Sequence, residues 1–171
     1  MKKLVVAIIA LVGLVSCGEQ ERIVFVDRTE LLKEYQGRKD IETKYKDKFE
    51  KLDIKKDSVS KALQIEAKDF QDQAKSMSQA KAQEKYNGLM QKQQYWTEQF
   101  QNQEYMIGQD SQKEIDTLLK KVKKFIGTYG KEHKYTYILG SNDAGSVMYG
   151  EESKDITEDV LKALNDEYAR N

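Results

Sequence analysis

No proline interrupts the 171 residues of this chain. Proline is the commonest helix breaker, so its absence allows helices far longer than the usual three turns. The apolar spacing uses that freedom. Ile41, Tyr45, Phe49, Leu52, Val59, Leu63, Phe70, Ala74 and Met77 recur at steps of three, four or seven. The polar run Ser76-Met77-Ser78-Gln79 breaks the pattern. It resumes through Tyr86, Leu89 or Met90, Gln93, Trp96, Phe100, Ile107, Ile115, Leu118, Val122, Phe125 and Tyr129. A narrow stripe of this kind belongs to a long coiled-coil helix. Two such helices joined by a short polar turn make an antiparallel hairpin. The spacing therefore predicts an arm over residues 38–133 with its turn near 76–81. Its weakest point is Lys55-Lys56, where an apolar residue is expected.

Composition agrees with a thin molecule. Charged residues make up 34% and hydrophobic ones 39%, and the mean hydropathy is −0.79. That is too polar for a thick core but suits helices that bury one stripe. Lys plus Arg balances Asp plus Glu, 29 against 29, which argues against a nucleic-acid binder.

The two chain ends read differently. Ile23-Val24-Phe25-Val26 is β-branched and aromatic, a strand. Asp27 follows as a helix N-cap, with Glu30 at capping-box spacing. A short helix carrying Leu31, Leu32 and Tyr35 is expected to end at Gly37. Residues 135–139 (YTYIL) form a second strand. Turn chemistry over 141–145 leads to a third over 146–149. Asp155-Ile156-Thr157-Glu158 opens a last helix with Val160, Leu161, Leu164 and Tyr168 on its apolar face. The fold class is thus α+β: a small β body built from both ends, residues 22–37 and 134–171, with the helical hairpin inserted. A sheet this small is marginal alone, so the body is expected to oligomerise.

The first 16 residues read as an address. Lys2 and Lys3 precede an apolar run over residues 4–15, and its 12 residues are too few to span a bilayer at roughly 20 per crossing. Leu14-Val15-Ser16-Cys17 resembles the lipobox of bacterial lipoproteins. That resemblance implies cleavage before Cys17, lipidation of Cys17, and a tether over 17–21.

The body segments also resemble the Skp (OmpH-like) periplasmic chaperones. The resemblance lies in Ile23-Val24-Phe25-Val26-Asp27 with Leu31 and Tyr35, and in Tyr137-Ile138-Leu139. It continues in Val147-Met148-Tyr149-Gly150 and in Asp155-Ile156-Thr157 with Val160, Leu161 and Leu164. It implies a jellyfish-like homotrimer whose arms enclose unfolded outer-membrane β-barrel proteins without using ATP. Val24, Val26, Ile138 and Val147 would then serve assembly. Candidate client contacts are Tyr86, Met90, Tyr95, Tyr105 and Met106, since Met and Tyr suit adaptable surfaces. Tyr86, Met90 and Trp96 are read more readily as seam residues, whereas Tyr95 and Tyr105 fall off the stripe. Gly88 and Gly108, inside the second arm helix, are candidate hinges, or else tolerated substitutions. One departure is plain: residues 59–112 hold six Lys against seven Asp or Glu. Long-range electrostatic capture of clients is therefore expected to be weak.

Catalytic constellations are not in the pattern. Cys17 and His133 are single, so no metal set or Cys–His pair forms, and no Gly-rich phosphate loop occurs. His133 is expected to cap a helix end. The sequence predicts no enzyme and no cofactor. The alternative to a holdase is a coiled-coil envelope lipoprotein that serves as spacer or scaffold. The basic run Lys120-Lys121-Val122-Lys123-Lys124 reads as a solvated helix face in preference to an anionic-lipid contact.

Overall fold

Strand β1, Ile23–Asp27, alternates as its sequence demands: Val24 and Val26 are buried, while Ile23 is exposed. The structure, a computed structural model, describes residues 21–142 and 147–170. The expected signal segment, Cys17 and most of the expected 141–145 turn lie outside those residues. Asp27 ends β1 and caps helix α1, Arg28–Glu34, its Oδ1 accepting from the N–H of Thr29 at 2.8 Å and of Glu30 at 3.0 Å. The reciprocal half of a capping box is absent. The Asp27 N–H donates instead to Thr157 Oγ1 at 2.8 Å, 130 residues away.

Helix α1 does not end at Gly37. Tyr35 breaks the chain with an extended ψ of 122°, and helix α2, Gln36–Ala74, starts directly after it. Gly37 lies inside α2, beneath the Tyr35 ring. The start of α2 has no local side-chain cap, and Asn165 from the far end of the chain supplies one by accepting from Gln36 N–H at 2.9 Å.

Helix α3 runs Gln79–Glu132. The turn between the long helices falls at 75–78, close to where the sequence places it. At about 1.5 Å per residue the helices extend roughly 58 and 81 Å. Strand β2, Tyr137–Ser141, follows two residues later than expected and pairs with β1 in parallel, Val24 opposite Ile138. The whole hairpin is the crossover between them.

The predicted third strand does not form. Residues 147–150 follow bends, with Met148 and Tyr149 90% and 85% exposed. The reason lies at the second edge of β1. The carbonyl of Phe25 accepts from Ile156 N–H at 3.0 Å, and Phe25 bridges to Asp155. The approach to helix α4, Thr157–Tyr168, therefore occupies the edge a third strand would need.

The core sits where the two chain ends meet the arm base. Val24, Val26, Leu31 and Tyr35 pack with Leu118, Val122 and Tyr129 of α3 and with Ile156, Val160 and Leu164. Val24 and Val26 thus face the chain's own interior and leave almost no side-chain surface for contact with a second copy. His133 closes α3 as expected. Its Nδ1 lies 2.9 Å from the Tyr129 carbonyl, and its ring stacks on Tyr129 at 3.9 Å.

Candidate functional site

The arm changes character along its length. Near the body, Tyr45, Leu52 and Leu118 are buried; between residues 53 and 117 no side chain is. There Val59, Leu63, Phe70, Leu89, Trp96, Phe100 and Ile107 are only half covered. A two-helix hairpin has one contact face per helix, so its seam stays open to solvent on both flanks.

Ion pairs reinforce this thin seam. Lys44 meets Glu114 at 2.5 Å, and Lys56–Glu104 and Lys92–Glu66 make two further rungs between α2 and α3. Lys55 lays its ammonium 5.7 Å from the Trp96 ring, and Trp96 stacks on Phe100 at 5.5 Å. The polar break at Lys55-Lys56, the weakest point of the expected stripe, therefore bridges the two helices of the hairpin. The bond from Lys44 and the neighbouring Tyr45 hydroxyl hold the Glu114 carboxyl below its ordinary range. Asp40, bonded by Tyr168 at 2.7 Å and by Gln36, is lowered likewise. Lys44 and Lys56 are raised, chiefly by their bonds to Glu114 and Glu104.

These directions set a pH window. Lowered carboxylates stabilise the fold above their unfolded pKa and lose that contribution as pH falls through the folded one. Raised lysines do the reverse at the alkaline end. The melting midpoint from circular dichroism is expected to be level between about pH 5 and 9 and to fall below about pH 4. High salt should flatten the acid limb. A midpoint that rises on acidification would contradict the ion-pair ladder.

The candidate contact residues are placed as follows. Tyr95, Tyr105 and Met106 are well exposed, in line with positions off the stripe. Tyr86 and Met90 are exposed too, 49% and 43%; Leu89, not Met90, is the seam residue, and of the three seam candidates Trp96 alone holds the arms together. Ile54 and Ile65 on α2 are more than 60% exposed. Sequence reading missed them, although their lying off the stripe was the available signal. At 3.6 residues per turn these side chains surround the arm instead of sharing one face. Met106 flanks a groove with Leu52, Ile107 and the stems of Lys51 and Lys55. Gly88 and Gly108 sit in unbroken helix, and a methyl added at either would meet nothing within 4 Å. On the body, Ile138 lines a second groove with Leu31, Leu32, Leu119, Ile126 and Leu139, and Val147 is half-buried in a bend.

Among the described residues no group of three or more His, Cys, Asp or Glu could hold a metal ion, and no helix is long and apolar enough to cross a membrane. The profile of the outer membrane protein (OmpH-like) family matches residues 22–164. No curated protein matches the chain. Among solved structures, the chain is similar to a crystal structure from Caulobacter crescentus CB15, provisionally described as an outer membrane chaperone (OmpH-like). The TM-score is 0.77 at 17% identity, over 86% of this chain and 85% of that one. At such identity the likeness speaks for the fold.

Proposed function

The chain belongs to the outer membrane protein (OmpH-like) family, and from that premise we propose that it is an ATP-independent holdase of the periplasm. Its clients are unfolded outer-membrane β-barrel proteins, it works as a homotrimer, and Cys17 anchors it to a membrane. The observation that carries this reading is the outer arm: over residues 53–117 no side chain is buried, yet Ile54, Ile65, Tyr86, Met90, Tyr95, Tyr105 and Met106 are exposed around it. An unfolded barrel chain offers alternate apolar residues and unpaired strand edges. Many weak contacts around a long arm can cover such a chain without one tight site. Oligomerisation is supported by the body. Among the described residues β2 pairs only with β1, and beside it Leu119 and Leu139 are about 40% exposed in an apolar groove. Val24 and Val26 act there indirectly, by holding β1 in place.

The ion-paired seam favours one alternative, a rigid spacer that binds no client. Native mass spectrometry on a form starting at Gly18 separates them. A trimer that takes up a urea-diluted barrel protein is the expected result; a trimer that ignores every client leaves the spacer. Gly88 and Gly108 are proposed as hinges within the arm. Gly88→Ala with Gly108→Ala is expected to stabilise the helix by about 1 kcal/mol per site and to narrow the size range of protected clients. Unchanged protection of small and large clients would remove the hinge.

A further inference from the structure

Between Asp116 and Glu132, helix α3 carries Lys120, Lys121, Lys123, Lys124 and Lys131 and no acidic residue. All five are exposed, and among the described residues no carboxylate lies within ion-pair distance of any of them, unlike Lys44, Lys56 and Lys92 of the arm. At 3.6 residues per turn Lys120, Lys124 and Lys131 fall in one line. That line is opposite the face formed by Leu118, Val122 and Tyr129, which is buried in the core. Gly127, in the same line, has open space around it. The core therefore does not use this face; Lys120 also lines the apolar groove beside β2, while Lys124 and Lys131 lie clear of that groove.

Its position matters as much as its charge. The chain enters the fold at the same end of the body. Arg22 bonds the His133 carbonyl at the end of α3 through Nη1 at 2.8 Å, and its guanidinium lies 4.8 Å from the Tyr135 ring centroid. From Cys17 to Arg22 the tether reaches about 17 Å when extended. The rise along α3 from Lys120 to Lys131 is also about 17 Å. A lipid on Cys17 would hold this lysine line within its own length of a bilayer. Glu21, Glu132 and Asp159 are acidic residues near that end; Asp159 acts on Tyr129, on the face opposite the lysine line, and Glu132 lies about 100° round the helix from Lys131.

We propose that the Lys120–Lys124–Lys131 face docks on the anionic headgroups of the membrane that holds the lipid anchor. This rests on the anchor reading and adds to it a fixed orientation. Acyl chains supply insertion, and the lysines add attraction to anionic headgroups that fixes the orientation of the body. The lysines lie in a line on a convex helix, each on a flexible side chain, and no aromatic side chain stands among them to stack a base. That arrangement fits a diffuse anionic surface.

The test uses the lipidated chain reconstituted on vesicles. Lysines are acylated with a water-soluble ester and read by peptide mass spectrometry. On vesicles of phosphatidylglycerol mixed with phosphatidylcholine, Lys120, Lys124 and Lys131 are expected to react about tenfold or more slower than on phosphatidylcholine alone, since each lysine adds roughly fivefold to docking. Lys162, exposed on α4 across the body, should react equally on both, and high salt should abolish the difference. In the variant Lys120→Gln, Lys124→Gln, Lys131→Gln, the protection of Lys121 and Lys123 should disappear. Equal labelling on both vesicle types, with the protein still floating with the vesicles, overturns the docking face alone. Protein that does not float with either vesicle overturns the anchor, and docking with it.

Discussion

Leu31→Ala is expected to lower the melting midpoint by about 4–20 °C, through a loss of roughly 2–5 kcal/mol at about 2–4 °C per kcal/mol. Leu31 is 1% exposed and, with Val26 and Val160, is among the largest fully buried side chains. It lies where α1, β1, α3 and α4 converge. The surrounding elements cannot close on the lost volume without moving a strand and two helix ends together, so the cavity remains. Total stability of a domain is only about 5–15 kcal/mol, and this body is small. On the proposed trimer the effect should reach assembly, and native mass spectrometry should then show monomer appearing with the variant. Leu63→Ala is the comparison. Leu63 sits on the half-covered outer seam, so less apolar area is lost and the midpoint should move by only a few degrees. Equal shifts for the two variants would mean that the body core is not what secures the arm bases.

What was legible in the sequence follows from how local each determinant is. The two long helices follow from a repeat and from missing proline, and both are visible within one window. Asp27 as a cap and Asp155 before the last helix are local as well. The third strand failed because its edge of β1 is taken by Ile156 and Thr157, a competition between segments 130 residues apart. The break after α1 was set at Gly37 by a local rule. The chain turns at Tyr35 instead, and the new helix is capped by Asn165. Exposure on the arm was legible where a residue lies clearly off the stripe, as with Tyr95 and Tyr105. It failed at Met90, where Leu89 competed for one seam position and the register between helices decided. Lys55 and Lys56 looked like a gap because their partners, Trp96 and Glu104, come from the other helix. Sequence shows the charges but not which of them face each other.

Thr157→Val tests the one polar side chain that is buried in the body among the described residues. Thr157 is 3% exposed and is the buried polar residue of the core. Its hydroxyl accepts from Asp27 N–H at 2.8 Å and donates to Asp155 Oδ1 at 2.5 Å. Asp155 Oδ1 also accepts from Thr157 N–H at 2.8 Å. One side chain thus ties the end of β1 to the start of α4. Valine keeps the volume and the branch but leaves the Asp27 N–H without its partner and removes a donor from Asp155. An unsatisfied buried group costs about 1–3 kcal/mol, and the expected loss in chemical denaturation falls in that range. Thr157→Ser retains the hydroxyl and removes a methyl, so about 1 kcal/mol is expected. The order serine above valine is the diagnostic. Valine equal to or better than serine would show that packing, not the hydroxyl, joins the two chain ends. Amide exchange gives a second readout. The Asp27 N–H should lose protection in Thr157→Val and keep it in Thr157→Ser, because only the hydroxyl oxygen accepts from it.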